Sequence, residues 1–227
     1  MQDFTSHGLL ADANAVVAAL FILTTFLMMT ARQVQGFLRN FVAQSLWLSL
    51  SALTLAAIYR SADLLVVAVI TLVAKTIVIP RMLNRFLARD IISRREAELV
   101  ITAPMSLLLA ILLSALSYFL IAPIVRGAPS MVTVNLPIGL DVLLIGVYTL
   151  AIRREAVPQM LAVMGIDNGA FFAGIAISSS SAIVELAAGL EGVMVVLVVA
   201  ILARAIAQQV GTTAVSELNA LKEGGRE

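Results

Sequence analysis

The sequence has no cysteine and a single histidine, His7. Disulfide bonds, thiolate zinc sites and iron–sulfur clusters ligated by this chain are therefore excluded, and one imidazole cannot build a histidine metal cage. Only 13% of the residues are charged, the formal net charge is +1, and no basic run is interleaved with aromatic residues, so nothing indicates nucleic-acid binding. We expect no metal, cofactor or catalytic residue in this chain and no nucleic-acid partner; any redox chemistry would belong to partner proteins.

Apolar residues are abundant instead. They make up 61% of the chain, and the mean hydropathy is +1.03, which is typical of an integral membrane protein. Helical stretches of about 20 apolar residues can cross the hydrocarbon layer, and the sequence predicts an all-α transmembrane bundle with seven of them, at roughly 10–30, 37–59, 62–80, 103–124, 134–152, 157–177 and 183–206. Because Ala56 to Leu65 is barely interrupted, one bent element and a total of six spans is the alternative.

Basic residues orient the predicted bundle, because cytoplasmic loops carry the positive excess. One side has only Arg60 and Arg126. The other side collects Arg32, Arg39, Arg81, Arg85, Arg89, Arg94, Arg95, Arg153, Arg154, Arg204, Lys222 and Arg226. This asymmetry predicts an outside N-terminus, a cytoplasmic C-terminus and a multi-pass location in the cytoplasmic (inner) membrane. With no Lys or Arg before Arg32, the N-terminus lacks the positive region of a cleaved signal peptide, and we expect the first span to be retained.

Three parts follow from this layout. Residues 1–102 form an N-terminal three-helix membrane half with a cytoplasmic loop, 103–133 a connecting span and outer loop, and 134–227 a three-helix half with a short cytoplasmic tail. In the loop, 81–98 mixes charges with apolar residues and is either an amphipathic interfacial helix that touches anionic lipid or a partner, or a solvated loop. Pro80 and Pro123 are expected to end their spans.

Two acids lie near the middles of the last two predicted spans, Asp167 in the sixth and Glu191 in the seventh. A carboxylate at the bilayer centre costs roughly 2.5–3.5 kcal/mol on insertion scales, so it faces protein, water or a proton. Asp167 lies about 15 Å of helix rise from either end of its span and cannot reach bulk water. It is either a proton-handling group, with Asn168 beside it, or polar glue between helices; Gly165 and Gly169 would let a neighbouring helix approach closely.

Further polar residues join these candidates. Glu191 is a proton site or a helix–helix contact, whereas Glu185 lies near the outer end of the seventh span and is expected to touch headgroup water. Lys75 either snorkels to the inner interface or is a buried lysine paired with one of the acids. Gln44 in the second span and Asp141, near the outer mouth of the fifth, are weaker candidates.

The chain from about residue 140 onwards resembles the K-type subunit of bacterial complex I and the C-type subunit of multisubunit cation/proton antiporters. In that family the first helix ends in Arg-Arg, and the second and third helices each carry a Glu. The matching segments here are Leu143–Ile152 with Arg153-Arg154, Asn168 after the second-helix acid, Ala188–Glu191, and Ala214–Leu218 near the end. One departure is clear, because the second-helix Glu would fall at Met164, one helical turn from Asp167.

A seven-span chain of this length with such a C-terminal half resembles the hydrogenase-4 component E family of membrane subunits, found in group 4 nickel–iron hydrogenase and formate-hydrogenlyase-type complexes. The resemblance implies a non-catalytic subunit of a complex I-like, redox-driven proton- or cation-translocating assembly. Its partners would be antiporter-like and other membrane subunits, lipid, and cytoplasmic-side redox subunits with nickel–iron or iron–sulfur centres. The alternatives are a stand-alone ion-coupled secondary transporter and a purely structural membrane scaffold.

Overall fold

The computed structural model of the protein describes residues 2–86, 103–153 and 156–177. Within these three stretches the chain is helical and has no β-strand. The helices are α1 (Gln2–Thr30), α2 (Val34–Tyr59), α3 (Ala62–Thr71), α4 (Ile79–Phe86), α5 (Ala103–Ile121), α6 (Ser130–Ile152) and α7 (Ala156–Ile177). A π-helical turn, Leu72–Val78, joins α3 directly to α4. The predicted all-α class is confirmed.

Six stretches of the described chain are long and apolar enough to cross a membrane, and the protein is a polytopic membrane protein. They are Gly8–Thr30, Val34–Tyr59, Ala62–Arg85, Pro104–Ile121, Met131–Ile152 and Val157–Ile177. Each coincides with one of the first six predicted spans to within five residues at both ends. The seventh predicted span, 183–206, lies outside the described residues, as does most of the predicted interfacial segment. The orientation of the termini stays a prediction.

The tight connection predicted between the second and third spans is present. Arg60 adopts the left-handed conformation, with φ 51° and ψ 38°, and its N–H donates to the carbonyl of Ala56 at the end of α2. Ser61 then caps α3 by accepting a hydrogen bond from the Leu64 N–H over 3.3 Å. A left-handed cap followed by a serine N-cap ends one helix and starts the next, so two residues reverse the chain and the single-bent-element alternative is wrong.

Pro80 does not end the third span, and that prediction is wrong. The helix continues through Pro80 into α4, although a proline ring in a regular α-helix clashes with the carbonyl four residues earlier. Immediately before it the chain is π-helical, and the Ile79 N–H donates to the carbonyl of Ala74, five residues back. The wider turn relieves the crowding at Pro80 and keeps the span continuous. Pro123 does follow the end of α5, as predicted.

Helices α6 and α7 are in backbone contact. A Cβ built on Gly169 would lie 2.6 Å from the backbone nitrogen of Leu143, and one built on Gly139 would lie 2.6 Å from that of Ala173. Only glycine fits at such distances, so Gly139 and Gly169 let α6 and α7 approach each other this closely. The pairing rigidly places the side chains of the middle of α7.

Around the α6–α7 pair, helices from the start of the chain pack against helices from later in the chain. Helix α1 packs on α2 and α6, α2 packs on α3 and α7, and α5 packs on α6. At the centre Phe21 of α1 stacks on Phe172 of α7, with ring centroids 4.4 Å apart and an interplanar angle of 11°; both side chains are fully buried. The helices predicted for 1–102 and 134–227 therefore share one core, and the three-part division stays a prediction.

Candidate functional site

Lys75 and Asp167 form an ion pair inside the bundle. Lys75 Nζ lies 2.6 Å from Asp167 Oδ2 and also donates to Asn168 Oδ1 over 2.8 Å. Lys75 is 1% exposed and Asp167 8%. Of the two interpretations of Lys75, snorkelling is therefore wrong and a buried lysine paired with an acid is confirmed. Asp167 is near the middle of α7, about 15 Å from either end, as its position in the sequence predicted.

The π-helical turn explains how a lysine comes to point into the core. The buried positions of this span include Thr71, Lys75, Ile79 and Leu83, three successive steps of four residues. In a regular α-helix those steps would carry a side chain about 120° around the axis. Because a π-helical turn holds more residues than an α-turn, it keeps all four on one face, and Lys75 faces α7 together with the apolar residues around it.

From Asn168 a chain of hydrogen bonds crosses the bundle. The Asn168 amide donates to Gln44 Oε1 over 2.9 Å and to Ser45 Oγ over 3.2 Å. Gln44 in turn donates to Thr25 Oγ1 over 2.7 Å, and the Thr25 hydroxyl donates to the carbonyl of Phe21 over 3.0 Å. At most 4% of any of these four polar side chains is exposed. Thus α7, the π-helical turn, α2 and α1 all contribute to one buried polar network.

The donor-to-acceptor order of these hydrogen bonds is fixed by the Lys75 ammonium at one end of the network. Because the Lys75 ammonium can only donate, it selects the carbonyl oxygen of Asn168, and the Asn168 amide must then donate onward to Gln44. An amide neither gains nor loses a proton near neutral pH, so Asn168 and Gln44 orient the ion pair and do not carry protons themselves. The titratable groups of the network are Lys75 and Asp167.

The two glycines of α7 serve different neighbours. Gly169 lies against the backbone of α6, as the small-residue pattern predicted. Gly165 instead faces α1 and α2, where a Cβ would lie 3.2 Å from Met28 Cε and 3.8 Å from Gln44 Oε1. The missing side chain at Gly165 thus leaves room for the Gln44 amide beside Asn168.

A second buried polar cluster joins α1, α2 and α6, and the sequence analysis missed it. Asn14 donates to Asn135 Oδ1 over 2.8 Å, and Ser51 donates to Asn14 Oδ1 over 2.7 Å. On α1 the stacked Phe21 lies between Asn14 of this cluster and Thr25 of the first network. Uncharged amides in apolar spans were the signal that was available, but they are common as interhelical contacts.

Asp141 is not near the outer mouth of its span, and that prediction is wrong. Helix α6 begins at Ser130, earlier than the predicted start at 134, so Asp141 lies halfway along the helix. It is 2% exposed, and its neighbour across the α5–α6 interface is the hydroxyl of Ser114. Asp141 is therefore a buried acid, separate from the Lys75–Asp167 pair.

Arg153, predicted only as part of a basic turn, closes the end of another helix. Its guanidinium donates to the carbonyls of Met29 and Ala31, both over 2.7 Å, and lies 5.2 Å from the centroid of the Phe37 ring. A cation at the C-terminal carbonyls of α1 is favoured by the helix dipole, and the aromatic face adds a cation–π contact. Arg153 is 2% exposed, so it locks α1 to the end of α6.

Arg153→Met is expected to lower the free energy of unfolding by about 2–4 kcal/mol, because two charge-assisted hydrogen bonds are lost and buried carbonyls are left unpaired. Denaturant titration of the protein in detergent measures this loss. Arg39→Met is the matched control, since Arg39 lies on the exposed face of α2. Equal losses in the two variants would contradict the capping role.

Two predicted site residues, Glu191 and Glu185, lie outside the described residues. The structure brings Lys75, Asp167, Asn168 and Gln44 together, and it separates Asp141 from them. The predicted proton role of each of these residues stays a prediction.

Known proteins resemble the chain over almost its whole length. It is 26% identical to an uncharacterized protein of Mycobacterium tuberculosis, over 98% of this chain and 96% of that one. It is 23% identical over 207 residues to hydrogenase-4 component E of Escherichia coli K12 and to the protein of that name from Shigella flexneri, over 91% of this chain and 95% of each relative. No protein-family model and no solved structure matches. The predicted resemblance to hydrogenase-4 component E is thereby supported at low identity, and the likeness to K-type and C-type subunits stays a prediction.

Proposed function

We propose that the chain is a non-catalytic membrane subunit of a hydrogenase-related, redox-driven assembly in the cytoplasmic membrane. Support comes from the similarity to hydrogenase-4 component E over 91% of the chain and from the six stretches of the described residues that are long and apolar enough to cross a membrane. Antiporter-like and other membrane subunits would contact the bundle within the membrane. Redox subunits with nickel–iron or iron–sulfur centres would lie on the cytoplasmic side.

Within that assembly, Lys75 and Asp167 would handle the translocated proton. The observation that carries this part is their 2.6 Å ion pair at the centre of a membrane bundle, held by Asn168 and Gln44. In a site without bulk water the protonation states of two such groups are coupled. A proton added to Asp167 would leave the Lys75 ammonium uncompensated, and Lys75 would then release a proton or leave the pair.

A change of charge in a neighbouring redox subunit would start this cycle. A new charge or a new water molecule beside Asp167 would change the free-energy difference between the ion pair and its neutral form. This change would be larger than in bulk solvent, because the local dielectric constant is low. Glu191, which the sequence places in the next predicted span, would receive the released proton. Its part in the path rests on its sequence position alone.

The test replaces the ion pair by neutral groups of similar shape. Lys75→Gln together with Asp167→Asn keeps hydrogen-bonding side chains but removes both titratable groups, so we expect the complex to assemble while redox-linked proton movement falls at least tenfold. Proton uptake by membrane vesicles, followed with a pH-sensitive dye during turnover, gives the rate. Glu191→Gln in the same assay is expected to reduce proton movement as well.

Ser49→Ala is the matched control, because Ser49 is fully buried and, within the described part of the chain, its hydroxyl bonds only to the Ser45 carbonyl of its own helix; it should keep full proton movement. Full movement by the neutral double variant would contradict the proton role and favour a scaffold. Proton movement by the purified chain alone in liposomes would instead contradict the subunit role and favour a stand-alone transporter.

A further inference from the structure

Asp141 is a buried acid of the membrane-spanning helix α6. It is not part of the Lys75–Asp167 ion pair. It is 2% exposed, and its carboxyl oxygen Oδ1 has no hydrogen-bond partner in the described part of the chain. An ionised carboxylate placed away from water without partners costs several kcal/mol, and such groups in proteins become neutral instead. To stay ionised, a buried carboxylate would need an opposite charge or hydrogen-bond donors beside it.

Among the described helices, none brings an opposite charge to face Asp141. Helix α5 contains no Asp, Glu, Lys, Arg or His, and its Tyr118 is 62% exposed. Helix α6 has no other charged residue between 130 and 152. On the neighbouring α7, Asp167 is an acid and is already paired with Lys75; Asp12 of α1 is also an acid and is exposed. A negative charge at Asp141 would therefore be uncompensated by these helices.

A hydrogen bond from the neighbouring Ser114 hydroxyl would favour the Asp141 carboxylate, but that hydroxyl is already engaged within its own helix. Ser114 Oγ donates its one proton to the carbonyl of Ala110 over 3.0 Å. A protonated carboxyl can donate to Ser114 Oγ while that serine keeps its bond to Ala110. A carboxylate can only accept, so Ser114 would have to give up Ala110 to satisfy it.

We propose that Asp141 holds a proton at neutral pH, and that the α5–α6 interface is a second proton-binding site of this molecule. The site rests on the contacts of Asp141 itself and does not depend on the role proposed for Lys75 and Asp167. Its ligand is the proton of a carboxylic acid, shared with Ser114. A monovalent metal cation on the same carboxyl is the competing occupant.

Infrared spectroscopy of the purified protein in lipid measures the protonation state directly, through the carbonyl stretch of a protonated carboxylic acid. At neutral pH we expect such a band in the wild type, its loss in Asp141→Asn, and its retention in Asp63→Asn, whose carboxyl is exposed at the start of α3. Ser114→Ala should shift the band without removing it, because the acid loses its hydrogen-bond acceptor. This second variant tests the site even if Asp141→Asn does not fold.

Two results would overturn the proposal. A band that is present but insensitive to both Asp141→Asn and Ser114→Ala would mean that Asp141 is ionised. A band that is sensitive to Asp141→Asn but appears only after sodium and potassium are removed would mean that a cation occupies the carboxyl. A hydrophobic carbodiimide supplies a further readout, since it adds as a whole molecule to protonated carboxyls. We expect mass spectrometry to find the adduct on Asp141 and not on the ion-paired Asp167.

Discussion

Lys75→Met is expected to lower the free energy of unfolding by about 3–5 kcal/mol, because it removes one partner of a buried ion pair and leaves the other without compensation. Asp167 is 8% exposed and cannot turn to bulk water. The Asn168 side-chain oxygen also loses its hydrogen bond from the Lys75 ammonium. Without that bond, the Asn168 amide is held less firmly in its hydrogen bond to Gln44. Denaturant titration of the protein in detergent, followed by circular dichroism, measures the loss.

The double variant Lys75→Met with Asp167→Leu separates the charge from the packing. Replacing both ions by apolar residues of similar volume is often neutral or stabilising in buried sites, so the double variant should recover most of the stability that Lys75→Met loses. Arg81→Met, in the exposed part of α4, should change stability little. A double variant that is less stable than either single variant would show that the two residues stabilise the bundle independently, and would contradict the ion-pair account.

Depth along a helix could be predicted from the sequence. Asp167 and Lys75 are isolated charges in long apolar runs, and distance from the ends of a run converts directly to depth in the membrane. The first six predicted spans and the buried state of Asp167 follow from that reasoning, whereas it leaves the tight turn at Arg60 and Ser61 open against one bent element. For Lys75 the same reasoning left two alternatives, because its depth allowed either snorkelling or a buried pair.

Rotation about the helix axis could not be predicted. Whether Lys75 faces α7 depends on the π-helical turn. The residues Leu72–Val78 do not distinguish that turn from an α-helix, and only the nearby Pro80 indicates it. A proline inside an apolar run reads as a helix end, which is why the third span was predicted too short. The π-helical turn and the packing of the helices thus determine whether the Lys75 side chain faces lipid or protein.

Contacts between helices that are distant in the chain also could not be predicted from the sequence. Asn14 and Asn135 are far apart in the chain and meet only because α1 packs on α6. Arg153 looked like part of a loop that sets orientation, yet its guanidinium reaches the end of α1. Such pairings require the helix neighbours to be known, and one sequence without an interhelical map does not supply them.

Gly169→Val is expected to destabilise the protein by about 3 kcal/mol or more, at the upper end of what overpacking costs. A Cβ at this position would lie 2.6 Å from the Leu143 nitrogen and 2.8 Å from the Gly139 carbonyl oxygen. Both are backbone atoms that cannot rotate away, so α6 and α7 must separate. Because the chain has no native cysteine, spin labels on cysteines introduced at the exposed positions Val147 and Ile177 can measure that separation.

Two other glycines provide the controls for this prediction. A Cβ on Gly36 meets only Ala31 Cβ, at 3.8 Å, which is ordinary contact, and a Cβ on Gly165 meets the flexible end of Met28 at 3.2 Å. Gly36→Ala and Gly165→Ala should therefore leave the label distance unchanged. An unchanged distance in Gly169→Val would contradict the close packing of α6 and α7. If the helices do separate, Asp167 and Asn168 should move away from Lys75 with α7, and the network should break without any change to its polar groups.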